Sequence, residues 1–468
     1  MATLIEQHPL YDTLPVGQDV IFTVSNTSVV SSYTNVKFIA EVHISSTFAP
    51  NPSTNTDVVG TFKTTPNNAG VGMFDFSSII ESFVNADNLA RQGSAYKTVV
   101  NTSETNVPIH LIDKFSGNVN SMRYLVIQFK VQYIDAAGNL VNTGAVNSDL
   151  YQLLNGYLKY TDVLDLVGNN FGYNLNSFNL NGSSKSFLTN APTTQYANLE
   201  DYGTLGLWMV NGYSASNVNG IGGVRATYYD SDGNYISDEE IYSYAANGGF
   251  NTNNGYIGTN LLFFGCFPAN LQGSSTMFQN LVSAGTIQGG HYELVVLSDP
   301  GQIISLIYTV NLNCPTLKGF EPIRLTWLNQ WGTWDYYTFT MKSSKTISTQ
   351  GSTYQQLAGS WNQSAYRIDS FKGGKKAFRV NATEKISMNT DFVSESESEW
   401  FEELINSPEV YILKGYEDVV ETSSALNQYV TPVRLTTSNY TKKTVANDKL
   451  MQYTFEVEKS KTLRTQAV

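Results

Sequence analysis

The residues whose spacing best suggests chemistry are the carboxylates of Asp230-Ser-Asp-Gly-Asn234. Oxygen ligands at alternate positions followed by a glycine are typical of the start of a calcium-binding loop. The bidentate glutamate that closes such a loop is missing at the expected distance, because Glu239 and Glu240 follow too soon. We therefore predict a structural turn, with a metal site as the alternative.

Histidine and cysteine are too scarce and too scattered for the usual catalytic and zinc-binding arrangements. The residues concerned are His8, His43, His110, His291, Cys266 and Cys314. No two of them have the spacing of a zinc-ligand pair, so neither a zinc site nor a Ser/His/Asp triad is expected. We predict that both cysteines are reduced, buried thiols. We predict no catalytic, cofactor-binding or metal-binding residues.

Three other motifs are better explained by structure than by catalysis. The Gly-x-Gly-Gly of residues 220–223 leads into a β-like segment rather than a helix, which favours a turn over a phosphate loop. The basic run Lys372-Gly-Gly-Lys-Lys376 is expected to be a solvated turn, with a contact to DNA or to an acidic neighbouring copy as the alternative. The last motif is an acidic cluster, expected on the solvated side of a helix rather than in a glycosidase cleft: Glu395, Glu397, Glu399, Glu402 and Glu403.

Hydrophobic residues with a period of two predict β-strands over residues 20–24, 36–44 and 125–133. A short helix is expected over residues 77–84, with Ser77 as its cap. The segment Tyr133-Ile-Asp-Ala-Ala-Gly-Asn recurs as Tyr228-Tyr-Asp-Ser-Asp-Gly-Asn, which predicts the same hairpin turn in two tandem sandwich domains.

Two segments, 169–184 and 245–260, are rich in Asn, Gly and Ser, and we predict long loops that bind a ligand or a neighbouring subunit.

An aromatic hairpin and one strong helix are predicted in the last third of the chain. Trp327, Trp331 and Trp334 flank the turn sequence Asn-Gln-Trp-Gly, so we expect a hairpin whose aromatic face serves packing. A helix is predicted over residues 395–406, because acidic residues crowd its first turns and Pro408 follows it. Flanking strands are expected at 410–413, 433–436 and 451–457.

Charge divides the 468 residues unevenly. Residues 1–314 carry 10 Lys and Arg against 23 Asp and Glu, whereas residues 315–468 carry 18 and 17. We predict a mainly β protein of tandem β-sandwich domains, Ig-like or jelly-roll-like, at 1–155 and 156–314, followed by a β-rich domain at 315–468 with one short helix. The net charge of −12 disfavours direct DNA binding. Without a signal-like N-terminus or a long apolar stretch, we expect synthesis in a cytoplasm and no membrane contact.

The segment from Cys314 to Phe339, with its Leu-x-Trp-Leu-Asn and Gly-x-Trp-Asp strings, resembles tail and ring-type structural proteins of tailed bacteriophages that infect Bacteroidetes, including the crAss-like group. The resemblance extends to Glu399-Trp-Phe-Glu-Glu-Leu-Ile-Asn-Ser-Pro-Glu-Val-Tyr411, to Pro432-Val-Arg-Leu and to residues 458–466. Residues 9–18 and 72–77 are similar to such proteins as well.

The resemblance implies a non-enzymatic subunit of a virion tail, as a ring, hub or tube component. Its partners would be copies of itself in a ring, neighbouring tail proteins, and passing genomic DNA that slides along acidic walls without specific binding. Two alternatives stay open at this point. One is a receptor- or glycan-binding virion protein, and the other is a polysaccharide depolymerase.

Overall fold

A computed structural model describes residues 2–46, 50–53, 57–90, 107–159, 162, 164–165, 172–209, 221–243, 261–298, 301–313, 320–360, 364–414, 429–437, 439–441 and 451–464. The chain is mainly β, as predicted. Contacts between residues divide it into two compact units. Unit 1 comprises the described residues of Met1–Pro315 and Leu328–Asp335, and unit 2 comprises those of Thr316–Trp327, Tyr336–Lys414 and Gln428–Val468.

Twenty strands lie in the described part of the first 315 residues. The first ten are β1 (Leu4–Gln7), β2 (Thr13–Pro15), β3 (Ile21–Ser25), β4 (Thr34–Ser45), β5 (Val58–Thr64), β6 (Val71–Asp75), β7 (Phe115–Gly117), β8 (Met122–Ile134), β9 (Leu140–Asn142) and β10 (Val146–Asn147). The next ten are β11 (Tyr151–Leu154), β12 (Leu164–Asp165), β13 (Gly172–Tyr173), β14 (Thr194–Ala197), β15 (Thr204–Trp208), β16 (Ile221–Tyr229), β17 (Tyr235–Ser243), β18 (Leu261–Gly265), β19 (His291–Ser298) and β20 (Tyr308–Leu312).

The described residues after 315 add seven strands and one long helix. The strands are β21 (Ile323–Leu328), β22 (Trp334–Phe339), β23 (Ser343–Gln356), β24 (Gly374–Asn389), β25 (Val410–Leu413), β26 (Val430–Leu435) and β27 (Thr454–Lys459). The α-helices of the described residues are α1 (Thr27–Ser32), α2 (Ser77–Glu81), α3 (Pro268–Ser274), α4 (Thr276–Ser283) and α5 (Glu395–Asn406). None of these helices combines the length and the hydropathy that crossing a lipid bilayer requires.

Unit 1 begins with a sandwich of two sheets, which are antiparallel except where β2 pairs with β11 in parallel. One sheet has the order β1-β3-β6, and the other has the order β2-β11-β8-β4-β5, with β9 and β10 also paired to β8. Alternate residues of β4 and β8 point into one shared core, in which Phe22, Phe76 and Phe129 make ring contacts. The period-two pattern of the sequence therefore predicted these strands and their buried faces.

The rest of unit 1 is built from a five-stranded sheet, β14-β20-β19-β16-β17, and a three-stranded sheet, β15-β18-β7. Strand β7 comes from the first 155 residues, yet it pairs with β18 through Leu262↔Gly117 and Phe264↔Phe115. The described contacts keep residues 1–315 together as one unit. The division into domains at residues 155 and 314 stays a prediction.

Unit 2 consists of one seven-stranded sheet and the helix that covers it. The strand order is β22-β21-β25-β26-β27-β24-β23. Helix α5 starts with a capping box, in which Ser394 and Glu397 satisfy each other's backbone N–H groups. Its Trp400 and Phe401 pack in tilted geometry against the sheet residues Trp327 and Phe455, at ring-centroid distances of 4.9 and 5.4 Å. The predicted C-terminal β domain with one short helix is confirmed in this form.

The predictions for shorter elements need correction. Helix α2 ends at Glu81, and Ser77 lies inside it rather than capping it, because the carboxylate of Asp75 accepts the N–H of Ser77 instead. The sequence reading missed the adjacent helices α3 and α4, although Pro268 at the first turn and the Ser275 cap are helix-start signals.

Candidate assembly interface

The candidate calcium loop is a hairpin turn. The Asp230 carboxylate accepts the backbone N–H groups of Asp232 and Asn234 at 2.9 and 2.8 Å, and Gly233 has a φ of +81°. These hydrogen bonds hold the pKa of Asp230 below its usual value, the largest effect coming from the Asn234 side chain. The repeat at residues 135–139 has the same geometry, with Gly138 at a φ of +83°. Both segments are therefore hairpin turns.

The four histidines occupy separate places in unit 1. His8 contacts the Tyr151 hydroxyl, His110 packs edge-on against Trp334, and His291 stacks on Tyr229. His43 is fully buried in β4. Among the described residues, no group of three or more His, Cys, Asp or Glu side chains is placed to hold a metal ion. Cys266 is a buried free thiol, as predicted, and Cys314 lies outside the described residues.

The acidic cluster on α5 is only partly solvated. Glu395 and Glu399 are exposed, Glu397 closes the capping box, and Glu403 is buried at 8% exposure. The prediction was therefore wrong for Glu403. Helical spacing places this residue beside the buried positions of the helix, and the sequence alone treated every carboxylate as solvent-facing.

The Gly-x-Gly-Gly motif and the basic run were both predicted to be turns. Gly223 lies inside β16 and not in a turn, and a Cβ there would collide with the side chain of Glu240 and the backbone of Tyr242. This close approach of β17 explains the glycine.

The basic run enters β24 through a turn in which Lys372 pairs with Asp369 at 3.0 Å. Its contact with DNA or with a neighbouring copy stays a prediction.

The segment 172–184 is better packed than its composition predicted. Leu175, Phe178 and Leu180 are buried, and the Phe178 ring lies 4.2 Å from that of Trp331. A few well-placed apolar side chains are enough to fix a polar segment against an existing core, so no neighbouring subunit is needed to order it. The second predicted loop, 245–260, lies outside the described residues.

The aromatic hairpin serves the interior of the chain. Trp327, Trp331 and Trp334 are each at most 2% exposed. Its turn closes through the Asn329 N–H to the Thr333 carbonyl at 2.8 Å, with Gly332 at a φ of +77°. The predicted hairpin and its packing role are confirmed. Because these rings are already covered, they cannot supply the apolar surface that self-assembly needs.

Exposed apolar side chains lie instead on a long hairpin that sequence analysis missed, which we call the arm (the described residues of 343–389). Strands β23 and β24 pair over fourteen positions, from Ser343↔Met388 to Gln356↔Gly374, so the ladder is roughly 45 Å long. Strand β27 pairs with β24 only from Lys385 to Asn389. Beyond that base and a bridge between Ala382 and Leu463, the described arm is a two-stranded ribbon, and most of its residues are exposed. Such a ribbon is at best marginally stable alone in water.

The two faces of the arm differ in polarity. On one face, the buried Met388 and Ile386 are followed outward by Ile347, Ala382 and Val380, and the same face carries Lys345 and Glu384 near the base. Phe455 lies opposite Met388, so this is the face that α5 covers at the base. Further out, Ile347 is 62% and Val380 46% exposed. The other face is polar, with Thr346, Ser348, Gln350, Ser352, Arg379, Asn381, Thr383 and Lys385. The apolar core face thus continues into solvent.

The arm ends in an apolar tip (residues 357–373). Four large side chains there are more than half exposed: Leu357, Tyr366, Ile368 and Phe371. The backbone around them is pinned, because Ser360 and Arg367 form a β-bridge and the Tyr366 hydroxyl donates to the Ala358 carbonyl. These contacts fix the described residues on either side of 361–363. An apolar patch of this kind on a surface marks an interaction site.

The arm is also basic. Residues 343–389 hold seven Lys and Arg against two Asp and Glu. The ion pairs at its base are Lys385–Glu456 at 3.1 Å, Lys459–Glu384 at 2.7 Å and Lys345–Glu321 at 2.6 Å. Further out, Lys375, Lys376 and Arg379 form no salt bridge with any residue that the structure describes. Net positive charge therefore accumulates beyond the base.

The sequence contains a signal for the arm. Phe378, Val380, Ala382, Ile386 and Met388 follow a period of two, with polar residues between them, which is a strand pattern. The partner strand β23 consists mostly of Ser, Thr and Gln and gives little hydrophobic signal of its own. Comparison of the sequence with protein-family models and with curated proteins gave no match.

Proposed function

We propose that this protein is a non-enzymatic structural subunit of a bacteriophage tail, acting as a ring, hub or tube component, and that the arm joins neighbouring copies. The observation that carries the proposal is the uncovered apolar face of the arm, with Ile347, Val380 and the tip residues Ile368 and Phe371 in solvent. Covering one such aliphatic or aromatic side chain contributes about 1.5–3 kcal/mol.

Assembly would also give hydrogen-bond partners to the backbone groups at an open strand edge. The outer edge of β23 is unpaired over its described length, and long open edges promote pairing with other chains. A subunit that presents one extended ribbon to its neighbour makes a head-to-tail contact, and repeated head-to-tail contacts close into a ring when the rotation between copies allows it. The resemblance of residues 314–339 and 399–411 to phage tail and ring-type proteins supports this choice.

The proposal also implies which partners the subunit has and where it is located. The subunit would be made in the host cytoplasm and end in the tail of the virion, beside copies of itself and other tail proteins. The acidic balance of residues 1–314 would let passing genomic DNA slide without specific binding. Charge-reversed variants of the lining would test this last point, and unchanged DNA release with a basic lining would argue against it.

A second candidate is a receptor- or glycan-binding virion protein. The observation in its favour is the set of exposed rings on the arm, Tyr354, Tyr366, Phe371 and Phe378. Aromatic faces of this kind can stack on sugar rings. The two candidates differ in what covers the rings, which is a protein neighbour in one and a carbohydrate in the other.

A shortened arm tests the proposal. Replacing residues 348–383 with Asn-Gly joins Ile347 to Glu384, which already face each other, through a two-residue turn. The base of the hairpin and its pairing with β27 remain. We expect the full chain to form a ring or tube at micromolar concentration, and we expect the shortened chain to stay monomeric by mass photometry and negative-stain microscopy.

Circular dichroism and the unfolding midpoint of the shortened chain serve as folding controls, and both should match those of the full chain. Equal assembly of the two chains would contradict the proposal. A full chain that stays monomeric while binding host surface glycans, with binding lost in the shortened chain, would favour the second candidate.

A further inference from the structure

Two open strand edges in this chain carry opposite charge. One is the outer edge of β24 over residues 374–381, which contains Lys375, Lys376 and Arg379. The other is the outer edge of β17, the last strand of the five-stranded sheet, which contains Asp238 and Glu240 as exposed carboxylates. In the described part of the chain neither edge has a further strand beside it.

The two edges also match in length. Eight residues of β24 extend beyond its contacts with β27 and Leu463, and β17 has nine residues. The acidic side is balanced only in part, because Arg225 of β16 lies across the ladder from Glu240, whereas Asp238 accepts a hydrogen bond from the Tyr235 hydroxyl and forms no salt bridge with a described residue. Opposite charges on matched edges favour pairing of one particular strand with another.

We propose that the outer edge of β24 in one copy pairs with the outer edge of β17 in a second copy of this chain, so that the arm adds a strand to the neighbour's five-stranded sheet. Main-chain hydrogen bonds between the edges would give affinity, and the charged side chains would select the partner strand. This inference rests on the proposed function, since it names the partner surface of the same arm.

Antiparallel pairing gives a specific register. Lys376 and Arg379 lie opposite Tyr354 and Ser352 of β23, so the bulge at Phe378 puts them on one face, two partner positions apart. Placing Lys376 opposite Glu240 therefore sets Arg379 opposite Asp238. A second copy fits this edge better than nucleic acid, because the arm presents Ile347 and Val380 on the adjoining face and phosphate groups would leave them uncovered. The acidic edge of β17 would itself repel DNA.

Charge reversal on each edge tests the pairing in the full chain. The arm variant is Lys376→Glu with Arg379→Glu, the strand variant is Asp238→Lys with Glu240→Lys, and a third chain combines all four changes. The control, Lys37→Glu with Lys63→Glu, alters net charge as the arm variant does but on exposed residues of β4 and β5. Self-association is measured by sedimentation velocity at low ionic strength.

We expect the arm and strand variants each to weaken self-association by roughly tenfold or more, the combined chain to return to within about threefold of the natural protein, and the control to change little. Natural-strength assembly of the arm and strand variants would overturn the inference, as would a combined chain that is not restored. If those variants assemble normally while the shortened arm does not, the proposed function stands and only the β17 pairing falls. If the arm variant loses only binding to a duplex DNA probe, the edge contacts nucleic acid instead.

Discussion

The indole Nε1 of Trp334 donates a hydrogen bond to the backbone carbonyl of Asp87 over 2.9 Å, joining residues 247 positions apart in the sequence. The carboxylate of Asp87 in turn accepts the N–H groups of Val119, Asn120 and Ser121 and the Ser121 hydroxyl. Burial raises the pKa of Asp87 despite these bonds. One tryptophan of the aromatic hairpin is thus fixed to a polar centre inside unit 1.

Truncation of this ring should be costly. Trp334→Ala is expected to lower the free energy of unfolding by about 3–5 kcal/mol, because the ring is buried and its space would stay partly empty. Trp334→Phe keeps most of the packing and loses the hydrogen bond, so about 1–3 kcal/mol is expected. Urea unfolding followed by circular dichroism gives both values. Equal losses in the two variants would show that the hydrogen bond, and not the ring volume, dominates.

Gly332 should tolerate substitution far less than Gly138. Both have positive φ, so alanine costs about 1–2 kcal/mol at either position. A Cβ on Gly332 would also lie 1.6 Å from the carbonyl oxygen of Asn155, whereas nothing lies within 4 Å of one on Gly138. Gly332→Ala should therefore destabilise unit 1 by about 1–3 kcal/mol more than Gly138→Ala. Similar thermal midpoints for the two variants would argue against this close approach.

Unit 1 should lose stability in mild acid through His43. Burial lowers the pKa of this imidazole below its ordinary value of 6.5. Between pH 6.5 and the lowered pKa, the unfolded chain therefore binds a proton at His43 and the folded chain does not. The contribution of the neutral His43 to the free energy of unfolding is full above pH 6.5 and is lost as the pH falls through the lowered pKa. In His43→Leu, the free energy of unfolding should change less between pH 7.5 and 5. Parallel pH profiles for the two proteins would be inconsistent with this effect.

The apolar face of the arm should matter for assembly and not for folding. Ile347→Asn and Val380→Asn are each expected to weaken self-association about 10- to 100-fold, as burial of one aliphatic side chain implies. Because both residues are exposed in the single chain, its unfolding free energy should change by no more than about 0.5 kcal/mol. Ser348→Asn, on the polar face beside Ile347, is the matched control. Sedimentation equilibrium would decide, and an equally large effect of Ser348→Asn would implicate the whole ribbon.

Local patterns predicted most of the regular elements because their physical causes are local. The alternation in β4 and β8, the turn at Gly332 and the Ser394 capping box are set by residues within a few positions of each other. The parallel pairing of β14 with β20 could not be predicted in this way, since its partners are over a hundred residues apart. The arm was missed for a related reason. Its apolar face is buried at Met388 and exposed at Val380. The sequence alone does not show at which residue of β24 the neighbouring elements stop covering this face.

The pairing of β7 with β18 has a consequence for synthesis. Phe115–Gly117 leave the ribosome long before Leu261–Gly265 do, at a rate of about 5–20 residues per second. The earlier strand must therefore wait on the order of ten seconds for its partner. During that delay a nascent chain exposes an unfinished edge, so translation speed and chaperone binding become part of how this protein reaches its native state.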